Sequence, residues 1–196
     1  VALCEDNTNP CDAKVKCGGS IIGTKWILTS AYCANLLTEA TSTVVAGVED
    51  LTTVDPTAQQ ILIKTITPHP SHNAATSPQR NDIAVLELDA DLTYGDYVRP
   101  VCLPQIDNGN TDAGNLAYTI GWGATVLSGS SSTTALNEVG INAVDASTCA
   151  SAPIFNAYDD SSSACYQTTG ADICGTCLAR DWNSNSKCSI VDMTCL

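Results

Sequence analysis

Cysteine and histidine are the side chains of this sequence best suited to bind metal or attack a substrate, but their spacing does not form a metal site. The chain has 11 cysteines and 2 histidines. The Cys-x-x-Cys pair of Cys174 and Cys177 has no second such pair and no histidine near it. His69 and His72 lie together in a distant part of the chain. We therefore expect no metal and no cofactor.

The cysteine content instead predicts disulfide bonds. Cysteine makes up about 6% of the residues, which is typical of proteins from an oxidising compartment. Because the number is odd, at least one thiol is free or pairs with another chain. The sequence starts at Val1 without a signal peptide, so we expect a processed or truncated chain of a secreted, extracellular protein.

The charge of the chain argues against two classes of partner. There are 21 acidic and 8 basic residues, and the net charge is −13. Nucleic-acid binding depends on Lys and Arg contacts to phosphate, and anionic lipid attracts the same side chains. The longest apolar runs, such as residues 61–63, are too short to cross a bilayer. We expect neither a nucleic acid nor a membrane as partner.

The pattern of apolar residues predicts an all-β fold. Several segments alternate apolar and polar residues at period two, with Gly, Pro, Asn and Ser between them, as in a barrel or sandwich. No long amphipathic helix is visible, although residues 147–152 could form one helical turn. The predicted strands are residues 19–28, 42–47, 60–66, 83–88, 116–122 and 138–144.

Five motifs in this order resemble the trypsin-like (chymotrypsin-fold) serine protease family, and residues 1–3 also resemble an early strand of its fold. The resemblance implies two packed antiparallel β-barrels with the active site between them. The motifs are Cys-Gly-Gly-Ser-Ile-Ile at 17–22, Trp-Ile-Leu-Thr-Ser-Ala at 26–31 with Cys33, Asn-Asp-Ile-Ala-Val-Leu at 81–86, Val-Arg-Pro-Val-Cys-Leu-Pro at 98–104 and Gly-Trp-Gly at 121–123.

The resemblance also divides the chain and leaves the second barrel incomplete. Prolines on both sides of Cys102 predict an extended crossing segment. A family domain runs to roughly 220–250 residues, so we expect a Cys-rich tail in place of the last strands of the second barrel. The divisions are a first barrel at 1–100, a crossing segment at 101–114, a partial second barrel at 115–174 and the tail at 175–196.

The family's catalytic base is replaced in this sequence. Its chemistry needs a serine that attacks the carbonyl, a histidine that takes the proton and a buried aspartate that orients the histidine. The resemblance places Asp82 at the aspartate and Tyr32 at the histidine. A phenol with a pKa of about 10 is a poor proton acceptor at neutral pH. His69 and His72 match a loop ahead of Asp82 and cannot substitute, so we expect a structural carboxylate at Asp82, bonded to main-chain amides.

The nucleophile of the family is also missing. The string Gly-Asp-Ser-Gly-Gly-Pro does not occur, although Asp172 and Cys174 resemble the approach to it. Asp172 matches the aspartate at the base of the family's substrate pocket, as a vestigial binding position. Cys177 could act as a thiolate only beside a base, and its spacing from Cys174 is one residue short, so we expect a disulfide there. The resemblance also implies an N-terminal amine and an aspartate that activate the family's proteases, and we expect this chain to lack both.

A calcium loop is the remaining site that the resemblance suggests. It would fall near residues 48–60, which offer Glu49, Asp50 and Asp55. Calcium sites need about six or more oxygens in a defined order, and the family's glutamates are not at the matching positions. We expect an acidic surface loop.

The resemblance implies two disulfides, Cys17–Cys33 and Cys149–Cys165. It also makes Cys102 a candidate for the unpaired thiol, because the family's partner for this position lies upstream. Cys4 and Cys11 flank a turn-like segment and could staple a hairpin, and Cys174 would pair with a cysteine of the tail, Cys188 or Cys195. Sequence alone fixes none of the connections of Cys4, Cys11, Cys102, Cys174, Cys177, Cys188 and Cys195.

Three functions follow from these observations. The first is a secreted, non-catalytic serine protease homologue that binds a protein partner or assembles with itself, as a regulatory or structural subunit. An open second barrel and an odd cysteine favour assembly, including an intermolecular disulfide. The alternative is an active trypsin-like endopeptidase whose sequence is truncated or mis-read. An unrelated small disulfide-rich module is the third.

Overall fold

The chain folds almost entirely as β-strands. The computed structural model describes residues 1–8, 11, 14–73, 81–103, 116–123, 133–144, 165–168, 171–174 and 191–192. In this part of the chain the strands form two antiparallel sheets, one of seven strands and one of five. A single turn of α-helix, α1 (Ala31–Ala34), accompanies them. The all-β prediction is therefore confirmed.

The seven-stranded sheet is built from the first half of the chain. Its order is β2-β1-β5-β6-β7-β4-β3, with every neighbouring pair antiparallel. The strands are β1 (Ala2–Cys4), β2 (Val15–Gly18), β3 (Ser20–Gly23), β4 (Trp26–Thr29), β5 (Thr43–Ala46), β6 (Gln59–Pro68) and β7 (Ala84–Leu88). The segment predicted as one strand at 19–28 is thus a hairpin of β3 and β4, which turns at Thr24 and Lys25.

This sheet curls into a nearly closed barrel at Gly19. The edge strands β2 and β3 are consecutive along the chain, and Gly19 alone separates them. A Cβ atom at Gly19 would lie 2.7 Å from Cγ2 of Ile27, so a larger residue would displace that side chain. Because both edges belong to one bent segment, little of the sheet edge is open to other chains.

Apolar side chains at alternate positions fill the barrel. In β7, Ala84, Leu86 and Leu88 are buried whereas Val85 and Glu87 are partly exposed, as the two-residue period of a strand requires. β5 is buried along its whole length. The buried members of this core are Leu3, Cys17, Ile21, Ile27, Cys33, Leu37, Val44, Ala46, Ile63, Leu86, Leu88, Leu92 and Val98.

The second sheet comes from the second half of the chain. Its order is β11-β10-β9-β8-β12, again antiparallel throughout. The strands are β8 (Leu116–Gly121), β9 (Asn137–Val144), β10 (Cys165–Thr168), β11 (Ala171–Cys174) and β12 (Val191–Asp192). β12 adds a short strand within the segment predicted as a tail. The predicted helical turn at 147–152 lies outside the described residues.

A loop at residues 47–53 ties the two sheets together. Trp122 donates its indole Nε1–H to the main-chain oxygen of Glu49 at 3.0 Å. The main-chain N–H of Leu51 donates to Thr134 O at 2.9 Å, and that of Leu136 to Glu49 O at 2.9 Å. Trp122 is buried beside Val48 and Leu51, so apolar packing supports these hydrogen bonds.

The disulfides confirm part of the predicted framework and correct another part. Cys4–Cys11 and Cys17–Cys33 are both formed. Cys102 is also disulfide-bonded, so it is not the unpaired thiol for which the resemblance made it one candidate. Cys102 was a candidate because the cysteine that bonds this position in the family lies upstream of the domain. In this chain a different cysteine bonds Cys102. Cys149 lies outside the described residues.

None of the helices in the described segments is long and apolar enough to cross a membrane.

Candidate functional site

The helical turn α1 presents Tyr32 at the predicted position of the catalytic base. Ser30 has extended backbone angles, φ −86° and ψ 155°, and its Oγ accepts the main-chain N–H of Cys33 at 3.0 Å. This is an N-cap hydrogen bond, which satisfies one of the open N–H groups at the start of a helix. Cys33 is bonded to Cys17 of β2, so the turn is fixed covalently to the barrel.

Asp82 holds the same turn from the other side. Its Oδ1 accepts the main-chain N–H of Tyr32 at 2.7 Å, across 50 residues of sequence. Asn81, just before it, has a left-handed φ of 55°, and the N–H of Ile83 donates back to Asn81 O at 2.9 Å. This tight bend directs the carboxylate at α1. The structure thus brings together the two predicted positions, Tyr32 and Asp82, through the main chain of Tyr32.

The Tyr32 side chain packs on the barrel core. It is partly buried and lies against the buried cluster that contains Cys17, Cys33 and Leu37. An aromatic ring in this position contributes apolar packing. The ring therefore occupies the predicted base position as part of the wall of the first barrel.

His69 belongs to a turn of its own. Its main-chain N–H donates to Ile83 O at 2.9 Å, which places the turn beside the start of β7. Its Nδ1 accepts the N–H of Ser71 at 3.1 Å, and its main-chain O accepts the N–H of His72 at 2.9 Å. One ring nitrogen of His69 is thus used inside the turn.

The predicted pocket position lies on the second sheet. Asp172 is in β11, where its Cα is opposite that of Gln167 in β10. On the same ladder Cys165 is directly opposite Cys174. The stretch after Cys174 that would carry a nucleophile, with Cys177, lies outside the described residues.

The acidic loop uses its carboxylates in local turns. Asp50 Oδ1 accepts the N–H and the hydroxyl of Thr52 at 2.9 and 2.7 Å. Asp55 Oδ1 accepts the N–H and the hydroxyl of Thr57 at 2.8 and 2.6 Å. These hydrogen bonds favour the ionised carboxylates and lower the pKa of both aspartates. Within the described residues, no three His, Cys, Asp or Glu side chains are grouped to hold a metal ion.

A cavity of about 590 Å³ lies between the two sheets. Neither Tyr32 nor Asp82 lines it, so it is separate from the predicted catalytic cleft. Its wall combines apolar side chains with a few charged ones. Among them are Ile21, Val101, Trp122, Leu136, Glu49, Asp55, Arg99 and Glu138.

Comparison with known proteins decides the family. The family model described as Trypsin matches residues 5–175. This chain belongs to the trypsin family. It is 40% identical to ovochymase-2 of Mus musculus over 108 residues, which are 55% of this chain and 17% of that protein. It is 33% identical to coagulation factor IX of Oryctolagus cuniculus over 159 residues, which are 81% of this chain and 57% of that protein. The chain thus spans little more than half of one relative and under a fifth of the other.

Solved structures agree with the fold. The structure of GrC superimposes with a TM-score of 0.70 at 25% identity, covering 86% of this chain and 69% of that one. Neuropsin, a serine protease expressed in the limbic system of mouse brain, superimposes with a TM-score of 0.73 at 21% identity, covering 96% of this chain and 83% of that one. The chymotrypsin-like fold is therefore established, with the first barrel nearly closed.

Proposed function

We propose that this trypsin-family chain is a secreted homologue that acts by binding a protein partner or by assembly, without catalysis. The observation that carries the proposal is that Tyr32 occupies the predicted base position beside Asp82, with its side chain packed against the core of the first barrel. In a working triad the aspartate orients an imidazole that takes the proton of the nucleophile. Here the side chain at the base position is a phenol packed on the core, and a phenol is a poor proton acceptor at neutral pH.

The sequence supports the same proposal at the nucleophile. Nowhere in the 196 residues does the string Gly-Asp-Ser-Gly-Gly-Pro occur. Acyl transfer in this family needs that serine and the glycines that open the oxyanion hole. Loss of one triad member lowers the rate by roughly 10⁴–10⁶-fold, so the replacement at Tyr32 alone is sufficient to remove useful turnover.

Secretion is supported by the disulfides of the first barrel. Cys4–Cys11 and Cys17–Cys33 would be unusual in a reducing cytosol, and Cys102 is bonded as well. The name of coagulation factor IX, which this chain resembles, indicates that this relative acts in coagulation. From this similarity we infer only that the chain is extracellular.

Assembly is supported by the second sheet and by the cysteine count. Among the described strands this sheet ends in β11 on one side and in the short β12 on the other. A strand edge offers unpaired main-chain groups that a second chain can extend. The odd number of cysteines leaves at least one thiol for a bond to another chain.

An active trypsin-like endopeptidase is the second candidate, because the carboxylate of Asp82 points at the predicted base position as it would in a working enzyme. This candidate requires a proton acceptor other than Tyr32. Turnover by the purified chain would decide in its favour.

The test is hydrolysis of a panel of fluorogenic peptides that includes Arg-containing substrates. Trypsin diluted to about 10⁻⁴ of the concentration of this protein sets the detection limit. Its turnover then equals the residual rate expected of a protease that has lost one triad member. The matched control is the Asp82→Asn variant, purified in parallel. We expect no turnover from either protein. Turnover by the native chain that disappears in Asp82→Asn would overturn the proposal, whereas equal turnover in both identifies a contaminating protease.

A further inference from the structure

We propose that Tyr97 is an acceptor for O-sulfation, the transfer of a sulfo group to the phenol oxygen. Tyr97 is 72% exposed, the highest value among the large apolar side chains of the described segments. Its modification in the cell rests on the secretion proposed above, because tyrosine sulfation takes place in the secretory pathway. It does not depend on whether the chain has catalytic activity.

Tyr97 stands at the tip of a bend whose two ends are fixed in the first barrel. The main-chain N–H of Gly95 donates to Val98 O at 3.0 Å, and the two residues between them, Asp96 and Tyr97, are both exposed. Val98 is buried in the barrel core, as is Leu92 on the other side of the bend. A Cβ atom added at Gly95 would meet nothing within 4 Å, so the space around the bend is open. A transferase therefore reaches the phenol without any unfolding of the barrel.

The carboxylates around Tyr97 supply the charge that a sulfo-transfer enzyme selects. Asp96 directly precedes Tyr97, and its side chain is 91% exposed. Asp89 and Asp91 are exposed as well, and residues 89–98 contain neither Lys nor Arg. The nucleotide that donates the sulfo group is strongly anionic, so the enzyme that binds it needs a cationic active site. Such a site also attracts an acidic acceptor segment.

Arg99 contacts the bend without withdrawing Asp96 from a transferase. Its Nη2 lies 3.3 Å from Asp96 Oδ1, and its Nε donates to Gly95 O at 3.1 Å. Both charged side chains are largely exposed, and ion pairs in such positions are weak. The Asp96 carboxylate is therefore available to the cationic groups of an enzyme.

The reaction is a group transfer without any change in oxidation state. Its donor is 3′-phosphoadenylyl sulfate, a nucleotide that carries a sulfo group on its 5′-phosphate. The phenol oxygen of Tyr97 forms a bond to the sulfur, and the bond from the sulfur to the phosphate oxygen breaks. Adenosine 3′,5′-bisphosphate leaves, and the phenol proton passes to a base of the transferase. The product is a sulfate ester whose negative charge lies beside Asp96.

Two other exposed tyrosines of the described segments serve as internal controls. Tyr94 is 42% exposed and follows Thr93, so it has no carboxylate directly before it. Tyr118 is 44% exposed but lies within β8, and residues 113–123 contain no Asp or Glu. We expect neither of these tyrosines to be modified.

The test is incubation of the folded, purified chain with 3′-phosphoadenylyl sulfate and solubilised Golgi membranes. Intact mass counts the sulfo groups. After reduction and alkylation, a protease that cuts before aspartate separates Tyr94, in the peptide 91–95, from Tyr97, in the peptide 96–106. We expect one sulfo group, on 96–106, that a phosphatase does not remove. It should persist in Tyr94→Phe and disappear in Tyr97→Phe, and Asp96→Asn should lower its rate of formation by about tenfold.

An acidic tyrosine peptide added to the same reaction shows that the membranes are active. With that peptide modified, an unchanged mass of the chain would overturn the proposal. So would a sulfo group on Tyr94 or Tyr118, a group that a phosphatase removes, or an equal rate in Asp96→Asn. The reaction involves no peptide cleavage and no passage through a cell, so its failure leaves the proposed function untouched, and peptidase turnover would leave this result untouched.

Discussion

Replacement of Asp82 by alanine should destabilise the protein, because this carboxylate holds the turn that carries Tyr32. The N–H of Tyr32 donates to Asp82 Oδ1 at 2.7 Å in a half-buried site. A hydrogen bond to a charged group contributes about 1.5–3 kcal/mol to stability, and truncation leaves the N–H without this acceptor. We expect Asp82→Ala to lower the free energy of unfolding by about 1.5–3 kcal/mol.

The assay is urea unfolding of the oxidised protein, followed by tryptophan fluorescence. The midpoint should fall while the slope with denaturant stays constant, which marks a change in stability rather than in the unfolding reaction. Asp82→Asn keeps an oxygen acceptor of the same shape, so it should lose less than about 1 kcal/mol. Asp89→Ala, at an exposed carboxylate, is the surface control and should change stability by less than about 0.5 kcal/mol.

The order of stability of the three variants decides whether Asp82 has a structural role. If Asp82→Ala is as stable as Asp89→Ala, the hydrogen bond to Tyr32 contributes nothing and Asp82 has no structural role. If Asp82→Asn is as damaging as Asp82→Ala, the contribution depends on the negative charge and not on the acceptor oxygen. Either result would refute the reasoning.

Three further predictions concern the barrel, the junction between the sheets and the acidic turns. Gly19→Ala should lower the free energy of unfolding in urea by about 1–3 kcal/mol, because the added Cβ would lie 2.7 Å from Ile27 Cγ2. An unchanged unfolding midpoint would contradict this close packing. Trp122→Phe removes the donor to Glu49 O and should lower the free energy of unfolding by about 0.5–1.5 kcal/mol. Hydrogen exchange at the N–H of Leu51 should be faster in the variant than in the native protein. Equal exchange in the two proteins would contradict the link between the sheets. The Thr57 hydroxyl lowers the pKa of Asp55 below its usual 3.8, so the native state binds fewer protons than the unfolded state near that pH. The stability from this group is present above pH 3.8 and is lost as pH falls through the lowered pKa. Thr57→Val should raise the Asp55 pKa in a carbon NMR titration, and an unchanged titration would contradict that cause.

The strands could be predicted where apolar and polar residues alternate over several positions. β6 and β7 fall close to the predicted segments. β7 buries every second side chain, whereas β6 buries Ile63 and leaves its other residues partly or fully exposed. β2 and α1 were missed, because neither contains a run of β-branched residues such as the one that marks β5, a strand of the same length as β2. The hairpin of β3 and β4 was merged into one strand because apolar residues continue up to both sides of its turn.

The site could be predicted only in part. Resemblance to the family placed Tyr32 and Asp82 together although 50 residues separate them. The sequence predicted main-chain amides as the partners of Asp82, but it did not identify which amide, because backbone donors and acceptors are the same at every residue of a sequence. The hydrogen bond from Trp122 to Glu49 O could not be predicted for the same reason. The bonded state of Cys102 was missed because cysteine connectivity depends on which residues the fold brings together.

The most direct test of the central claim is reaction of the native protein with a fluorophosphonate, followed by intact-mass measurement. Such probes form a covalent adduct only with a serine that a nearby base has activated. The account predicts an unchanged mass under conditions that label trypsin completely. An adduct at one residue per chain, absent from Asp82→Asn, would contradict it, because it would mean that the cleft retains a working nucleophile and base.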